Sequence, residues 1–142
     1  MTMQNTPPKA AALLTRLTPR LQARLPGLIA IYRFGSFATA QQQPDSDIDL
    51  GLQGSGPLDP ILLFQLAGEL ATLAGRDVDL VDLIRCSTVM RAQIIATGER
   101  IHCRDTARCD HFAATALSRY AHLNEARRGI LDDIHQTGTI HG

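Results

Sequence analysis

The most constraining feature of this chain is a glycine–serine pair followed, at a fixed distance, by two aspartates. Gly35-Ser36 is separated by ten residues from Asp47, and Asp49 follows two positions later. Residues two apart on a β-strand point to the same face, so we expect these carboxylates to lie side by side. Such charges repel each other unless a cation lies between them. A Gly-Ser turn can offer N–H groups and a hydroxyl to a phosphate, so the pattern indicates nucleotide chemistry.

The residues around this pattern resemble the DNA polymerase β-type nucleotidyltransferase superfamily, and most of all its minimal nucleotidyltransferases (MNT). The resemblance lies in segments 32–38 (YRFGSFA), 45–50 (DSDIDL) and 76–83 (RDVDLVDL). It spans about residues 28 to 103. The C-terminal remainder resembles the tail of MNT antitoxins that are paired with HEPN toxins. The chain departs from the family at Thr39-Ala40, where an Arg-Gly pair is usual.

The resemblance implies a role for each motif residue. Asp47 and Asp49 would bind two Mg²⁺ ions, which stabilise the attacking and leaving oxygens of a nucleotidyl transfer. Gly35 and Ser36 would bind the β- and γ-phosphates of ATP, since glycine permits close approach to the backbone. A third carboxylate, Asp79, would complete the metal site and help to deprotonate the acceptor hydroxyl.

Three aspartates on or next to the predicted third strand are candidates for the third carboxylate. Asp77 and Asp79 share one face, whereas Asp82 has the opposite parity. Asp79 lies inside an apolar run, where an unpaired carboxylate is costly and a metal would relieve the cost. Asp77 is expected to be an exposed residue at the strand start, and Asp82 to cap the strand end or to be solvated. We therefore assign the role to Asp79.

Net charge and hydropathy exclude several classes of partner. Lys plus Arg and Asp plus Glu both number 14, so the net charge is zero. This argues against direct nucleic-acid binding and against binding to an anionic membrane. No apolar run approaches the roughly 20 residues that span a bilayer, and no secretory signal is expected. The three cysteines do not form a convincing disulfide framework, so we predict a cytoplasmic protein.

Hydrophobic periodicity predicts eight elements in the order helix, strand, short helix, strand, helix, strand, helix, strand, followed by a long helix. Strands are predicted at about 28–34, 47–53, 77–83 and 99–103, and the last helix at about 105–135. This order favours an α+β domain with a small mixed sheet. By resemblance it has the nucleotidyltransferase fold, with helices packed on one face. Residues 1–103 would form the nucleotidyltransferase domain, and residues 104–142 its C-terminal helical tail.

The last helix carries a basic face. Arg108, Arg119, Arg127 and Arg128 fall on it. A solvated surface is the ordinary interpretation. The functional alternative is contact with an acidic partner or with nucleotide phosphates.

The resemblance implies a magnesium-dependent protein adenylyltransferase of the EC 2.7.7 class. It would be the antitoxin of a type VII HEPN/MNT pair, which transfers AMP from ATP to a tyrosine of the HEPN ribonuclease toxin and neutralises it. Two alternatives stay open. One is a small-molecule nucleotidyltransferase of the aminoglycoside-modifying kind. The other is an antitoxin that acts by binding alone, which the Thr39-Ala40 departure keeps open.

Overall fold

The computed structural model describes residues 8–35 and 47–137, with side chains for 12–35 and 47–131. Four helices and four strands are present in this part of the chain. They are α1 (Pro8–Arg24), β1 (Leu28–Phe34), β2 (Ile48–Gly54), α2 (Pro60–Ala74), β3 (Val78–Asp82), α3 (Thr88–Thr97), β4 (Glu99–Cys103) and α4 (Thr106–Thr137). The short helix predicted after the Gly-Ser turn, at about 36–42, lies outside the described residues.

The four strands form one mixed sheet in the order β3-β2-β1-β4. β1 runs antiparallel to β2 and to β4, whereas β2 and β3 are parallel. The predicted α+β class with a small mixed sheet is therefore confirmed. The register places Phe34, at the end of β1, opposite Asp49 on β2, and Asp49 beside Asp79 on β3. The motif residues thus meet at one end of the central strands.

Helices α1 and α2 cover one face of the sheet. Their leucines recur at the spacing of an amphipathic helix and pack on alternate residues of β2. The side chains of this main core are almost entirely buried. Removal of apolar surface from water is the dominant favourable term in folding. The fully buried members of this core include Leu17, Leu21, Ile31, Ile48, Leu50, Leu52, Leu66 and Leu70.

The second face of the sheet is covered too, which corrects the expectation that helices pack on one face. Ile94 of α3 and Cys109 of α4 join Ile29 and Tyr32 of β1 in a second buried cluster. The physical reason is that β1 is apolar at consecutive positions, so residues pointing to both faces must be removed from water.

Local interactions fix the ends of α2 and the start of α3. Asp59 caps α2 by accepting a hydrogen bond from the Ile61 N–H at 3.0 Å, and Gly75 ends the same helix with φ of 71°. Ser87 caps α3 through the Met90 N–H at 3.1 Å. The Ser87 cap fixes where α3 starts, and the caps at Asp59 and Gly75 fix the two ends of α2.

The cysteine prediction needs a correction. Cys103, the last residue of β4, and Cys109, in the first turns of α4, form a disulfide with their Cα atoms 6.5 Å apart. The chain turns back over the sheet between them, so that the Sγ atom of Cys109 lies 3.9 Å from the carbonyl oxygen of Ile29. Cys86 is not in a disulfide. The bridge fastens the start of α4 to the sheet edge.

Candidate active site

Gly35 ends β1 in a conformation that favours glycine. Its φ is +70°, in the left-handed region that L side chains rarely adopt. A Cβ built on Gly35 would collide with a carboxylate oxygen of Asp49 and would lie 3.3 Å from its Cγ. The absence of a side chain at this position therefore makes room for the Asp49 carboxylate. Ser36, the other predicted phosphate ligand, lies outside the described residues.

Asp47 and Asp49 occupy the start of β2. Asp47 immediately precedes the strand and is exposed, whereas Asp49 is its second residue and is half-buried. Asp49 points to the second sheet face, because Gly51, two residues further, faces Leu83 and Ile94 on that side. Strand β2 therefore holds the Asp49 side chain on this face, at the start of the strand.

Asp79 is brought beside this pair by the parallel register of β2 and β3, in which Asp49 and Asp79 are direct neighbours. Asp79 is exposed, and Val81, on the same side of its strand, belongs to the second-face cluster. The three aspartates named from the sequence are therefore adjacent on one surface. The ion pairs seen between described side chains involve Glu69, Glu99, Asp82, Asp110 and Glu125 rather than these three aspartates.

The electrostatics of this surface are unfavourable for an ionised Asp49. Burial raises the pKa of Asp49 above its usual value, and the negative charges of Asp79 and Asp47 raise the same pKa further. The half-buried carboxylate thus lies among like charges on the side open to solvent. A divalent cation bound there would relieve both the repulsion and the cost of burial.

The two other acidic candidates have different surroundings. Asp77 precedes β3 and is exposed, and its backbone carbonyl accepts a hydrogen bond from the Ile48 N–H at 2.9 Å. Asp82 is only 7% exposed and accepts hydrogen bonds from the backbone N–H groups of Leu58 at 2.8 Å and Ile84 at 2.9 Å. Asp82 thus holds two loops onto the end of β3.

The donor set suits a hard cation such as Mg²⁺. Mg²⁺ prefers oxygen ligands and is usually bound by one or two carboxylates, with water and substrate phosphates completing its shell. Among the described residues, no three His, Cys, Asp or Glu side chains converge as a ready-made metal cage. The three aspartates therefore offer an open carboxylate surface, which fits a metal that arrives with its nucleotide.

Two arginines that were not singled out from the sequence hold in place the backbone next to the site. Arg33, buried at the end of β1 one residue before Phe34, pairs with Glu99 across the β1–β4 ladder. Arg91 of α3 donates hydrogen bonds to the carbonyl oxygens of Ile84 and Cys86, at 2.9 and 3.0 Å, and to that of Leu83. It fixes the connection that follows the Asp79 strand. Neither role carries a sequence signal, because each partner is set by the tertiary fold.

Comparisons with known proteins agree with this geometry. The family model described as "Polymerase beta, Nucleotidyltransferase" matches residues 18–107. A curated relative, the protein adenylyltransferase MntA of Shewanella oneidensis, is 38% identical over 115 residues, which are 80% of this chain and 81% of that protein.

Solved structures are similar over most of the chain as well. One is the tri-AMPylated HEPN toxin of Shewanella oneidensis in complex with MNT antitoxin. It matches with a TM-score of 0.73 and 32% identity, over 89% of this chain and 98% of the matched one. Another, a toxin–antitoxin with AMP-PNP, gives a TM-score of 0.73 and 35% identity over 87% and 97% of the two chains.

Proposed function

Because this chain belongs to the polymerase β nucleotidyltransferase family, we propose that it is a protein adenylyltransferase. It acts as the antitoxin of a type VII HEPN/MNT pair and transfers AMP from ATP to a tyrosine of its HEPN ribonuclease toxin. The observation that carries the proposal is the adjacency of Asp49 and Asp79 in the parallel register, beside the glycine that makes room for Asp49. The proposed acceptor and partner follow from similar proteins, one of which is named a protein adenylyltransferase and another of which is bound to a tri-AMPylated HEPN toxin.

Each residue of this surface has a separate role in the proposed reaction. The acceptor hydroxyl of the toxin tyrosine attacks the α-phosphorus of ATP. A new O–P bond forms, the bond to the bridging oxygen breaks, and pyrophosphate leaves. Asp79 accepts or relays the hydroxyl proton, and Gly35 with Ser36 holds the β- and γ-phosphates through backbone N–H groups and the hydroxyl.

Asp47 and Asp49 are the proposed magnesium ligands, with Asp79 as the third. Bound Mg²⁺ supplies positive charge to the phosphate oxygens as negative charge builds up on them. Two observations support this role. The pKa of Asp49 is raised by burial and by the other two aspartates. In addition, the ion pairs seen between described side chains involve other acidic residues than these three aspartates.

The decisive experiment uses labelled ATP, magnesium and the cognate HEPN protein. Asp47→Asn and Asp49→Asn each remove a metal-binding charge with little change in volume, so each variant should fold and lose AMP transfer. Asp59→Asn is the matched control, because Asn caps a helix as well as Asp does. Near wild-type transfer by either site variant at saturating magnesium refutes the assignment. If wild-type protein captures the toxin without labelling it, the chain is an antitoxin that acts by binding alone.

The second half of α4 is the proposed docking element for the toxin. Cys109 and Ala116, near the start of this helix, are buried, but every described side chain from Glu125 to Leu131 is exposed. Ile130 and Leu131 are 61% and 54% exposed. Adjacent apolar side chains open to water are typical of a surface that binds a partner.

Truncation after Asn124 tests this docking. The shortened chain should stay folded and bind ATP, but it should capture and modify the toxin less well. Ile130→Glu should weaken capture in the same direction, whereas Ser118→Glu, which adds the same charge at an exposed position nearer the domain, should not. Unchanged toxin affinity after truncation counts against the docking and leaves the catalytic assignment untouched.

A further inference from the structure

A second concave site lies at the opposite end of β2 from the aspartates. A cavity of about 500 Å³, open to solvent, is lined by the end of β2, the start of α3 and the first half of α4. This volume falls in the range of about 300–1,000 Å³ that is usual for small-ligand sites. Ile84, Phe112 and Ala116 supply apolar walls, and Gln53 and three arginines supply polar groups.

Gln53 is the unusual residue of this cavity. It is only 4% exposed, and its side-chain carbonyl oxygen has no hydrogen-bond partner among the residues that the structure describes. An unsatisfied buried polar group destabilises the folded state. The last side-chain torsion of glutamine is roughly two-fold, so a rotation of about 180° exchanges the carbonyl and NH₂ groups that it presents to a ligand. A bound molecule with a complementary edge would remove this destabilisation.

The arginines give the cavity a positive rim. Arg108 and Arg119 line it from the same face of α4, three helical turns or about 16 Å apart. Neither forms an ion pair with a described acidic side chain. Arg91 adds a third positive charge, although its guanidinium also holds the loop carbonyls. Guanidinium groups bind phosphate through paired hydrogen bonds and stack on planar rings.

We propose that this cavity is a second ligand site that binds a mononucleotide. The amide of Gln53 hydrogen-bonds an edge of the base, Phe112 packs against the base, and Arg108 or Arg119 holds the phosphate. Size favours this class over a peptide segment, because the cavity is a recess on the scale of one small molecule. The site goes beyond the proposed transfer reaction and does not rest on it.

The second site is physically separate from the aspartates. Asp49 and Gln53 lie on the same face of β2 but four residues apart, which is about 13 Å along the strand. Between them, Leu83 and Ile94 cover Gly51, with atoms 3.1 and 3.2 Å from where its Cβ would be. The apolar cover keeps a nucleotide in the arginine-lined cavity apart from the carboxylates.

The test measures binding of AMP and GMP to the full chain by calorimetry in EDTA, where the carboxylate end holds no metal. Wild-type protein should bind at least one of the two nucleotides with saturation. Gln53→Met, which is close in volume and lacks the amide, should weaken binding about tenfold or more. The double variant Arg108→Gln/Arg119→Gln should also weaken nucleotide binding about tenfold or more. Arg16→Gln is the control, since Arg16 is exposed on α1, which packs on the other sheet face.

Thermal stability separates a ligand site from a structural role. Gln53→Met removes an unsatisfied buried group, so the free chain should be as stable as wild type or more stable. The arginine variants change only exposed positions and keep the test valid if Gln53→Met fails to fold. Absence of saturable binding of AMP and GMP up to about 1 mM overturns the proposal. Binding unchanged in the arginine variants, or inorganic phosphate binding as tightly as the nucleotides, overturns it as well.

Discussion

Replacing Gly35 by alanine tests whether this glycine exists to make room for the Asp49 carboxylate. The substitution adds one methyl group at a residue with φ of +70°. That methyl group would collide with a carboxylate oxygen of Asp49 and come within 3.3 Å of its Cγ. The colliding oxygen belongs to a side chain that can rotate, so the carboxylate gives way rather than the sheet.

The substitution should affect the stability of the protein and the rate of AMP transfer by different amounts. The left-handed backbone costs an alanine roughly 1–2 kcal/mol of stability. Displacement of the carboxylate acts on the reaction instead, and a shift of about 1 Å in a positioning group can lower a rate by 10²-fold. We therefore expect Gly35→Ala to lose AMP transfer by about two orders of magnitude while the protein remains folded.

Gly75→Ala is the matched control. Gly75 has φ of +71°, but no atom outside its immediate neighbours lies within 4 Å of where its Cβ would be. It should therefore lose the same stability and keep its activity. Urea unfolding measures the first quantity, and labelled-ATP transfer to the HEPN protein at saturating magnesium measures the second. Equal transfer by both variants, with equal stability losses, would falsify the steric explanation of Gly35.

Three further predictions follow from the contacts of the acidic residues and the disulfide. Asp79→Asn should lower the transfer rate with little change in ATP affinity or melting temperature. Asp82→Asn should instead lose about 1–3 kcal/mol of stability, because an NH₂ group then faces one of two backbone N–H donors. Urea unfolding measures the stability and labelled-ATP transfer measures the rate. If Asp79→Asn lowers stability and Asp82→Asn lowers the transfer rate, Asp82 rather than Asp79 is the third carboxylate of the site. Asp49→Asn should raise the melting temperature of the metal-free chain at neutral pH, because the raised pKa of Asp49 means that its ionised form destabilises the folded state. That gain should disappear below the ordinary carboxyl pKa of about 3.9, where wild type is protonated in both states; a gain independent of pH contradicts the charge argument. Reducing the Cys103–Cys109 bridge, which closes a loop of six residues, should cost roughly 2 kcal/mol, and identical unfolding curves with and without reductant would exclude a stabilising bridge.

The features predicted well from the sequence are those fixed by neighbouring residues. The strand predicted at 28–34 has the observed bounds Leu28–Phe34, and the ends of α2 and α3 are set by local caps at Asp59, Gly75 and Ser87. Cap and turn chemistry depends on groups within three or four positions of each other. Local sequence patterns therefore contain the information that sets these boundaries.

The features that were missed depend on pairings between distant residues. Apolar periodicity predicts that α3 is a helix, but it does not determine which sheet face Ile94 covers. Cys103 and Cys109 looked unpaired because the chain reversal between β4 and α4 is a tertiary feature. Gln53 gave no signal at all, since a glutamine at the end of a strand is ordinary until its burial is known. In contrast, the parity argument separated Asp79 from Asp82 because strand geometry is itself local.

The distribution of charge along β2 limits what a net charge of zero can exclude. Neutrality over the whole chain argues against nonspecific nucleic-acid binding, because that binding scales with the number of phosphates neutralised. It says nothing about a single recess, where field lines from a few charges are focused by apolar walls. At one end of this strand three carboxylates form a surface suited to a cation, and near the other end Arg108 and Arg119 line a cavity suited to an anion. The two charge clusters offset each other in the total, so a balanced composition is compatible with two strongly polarised ligand sites on one sheet face.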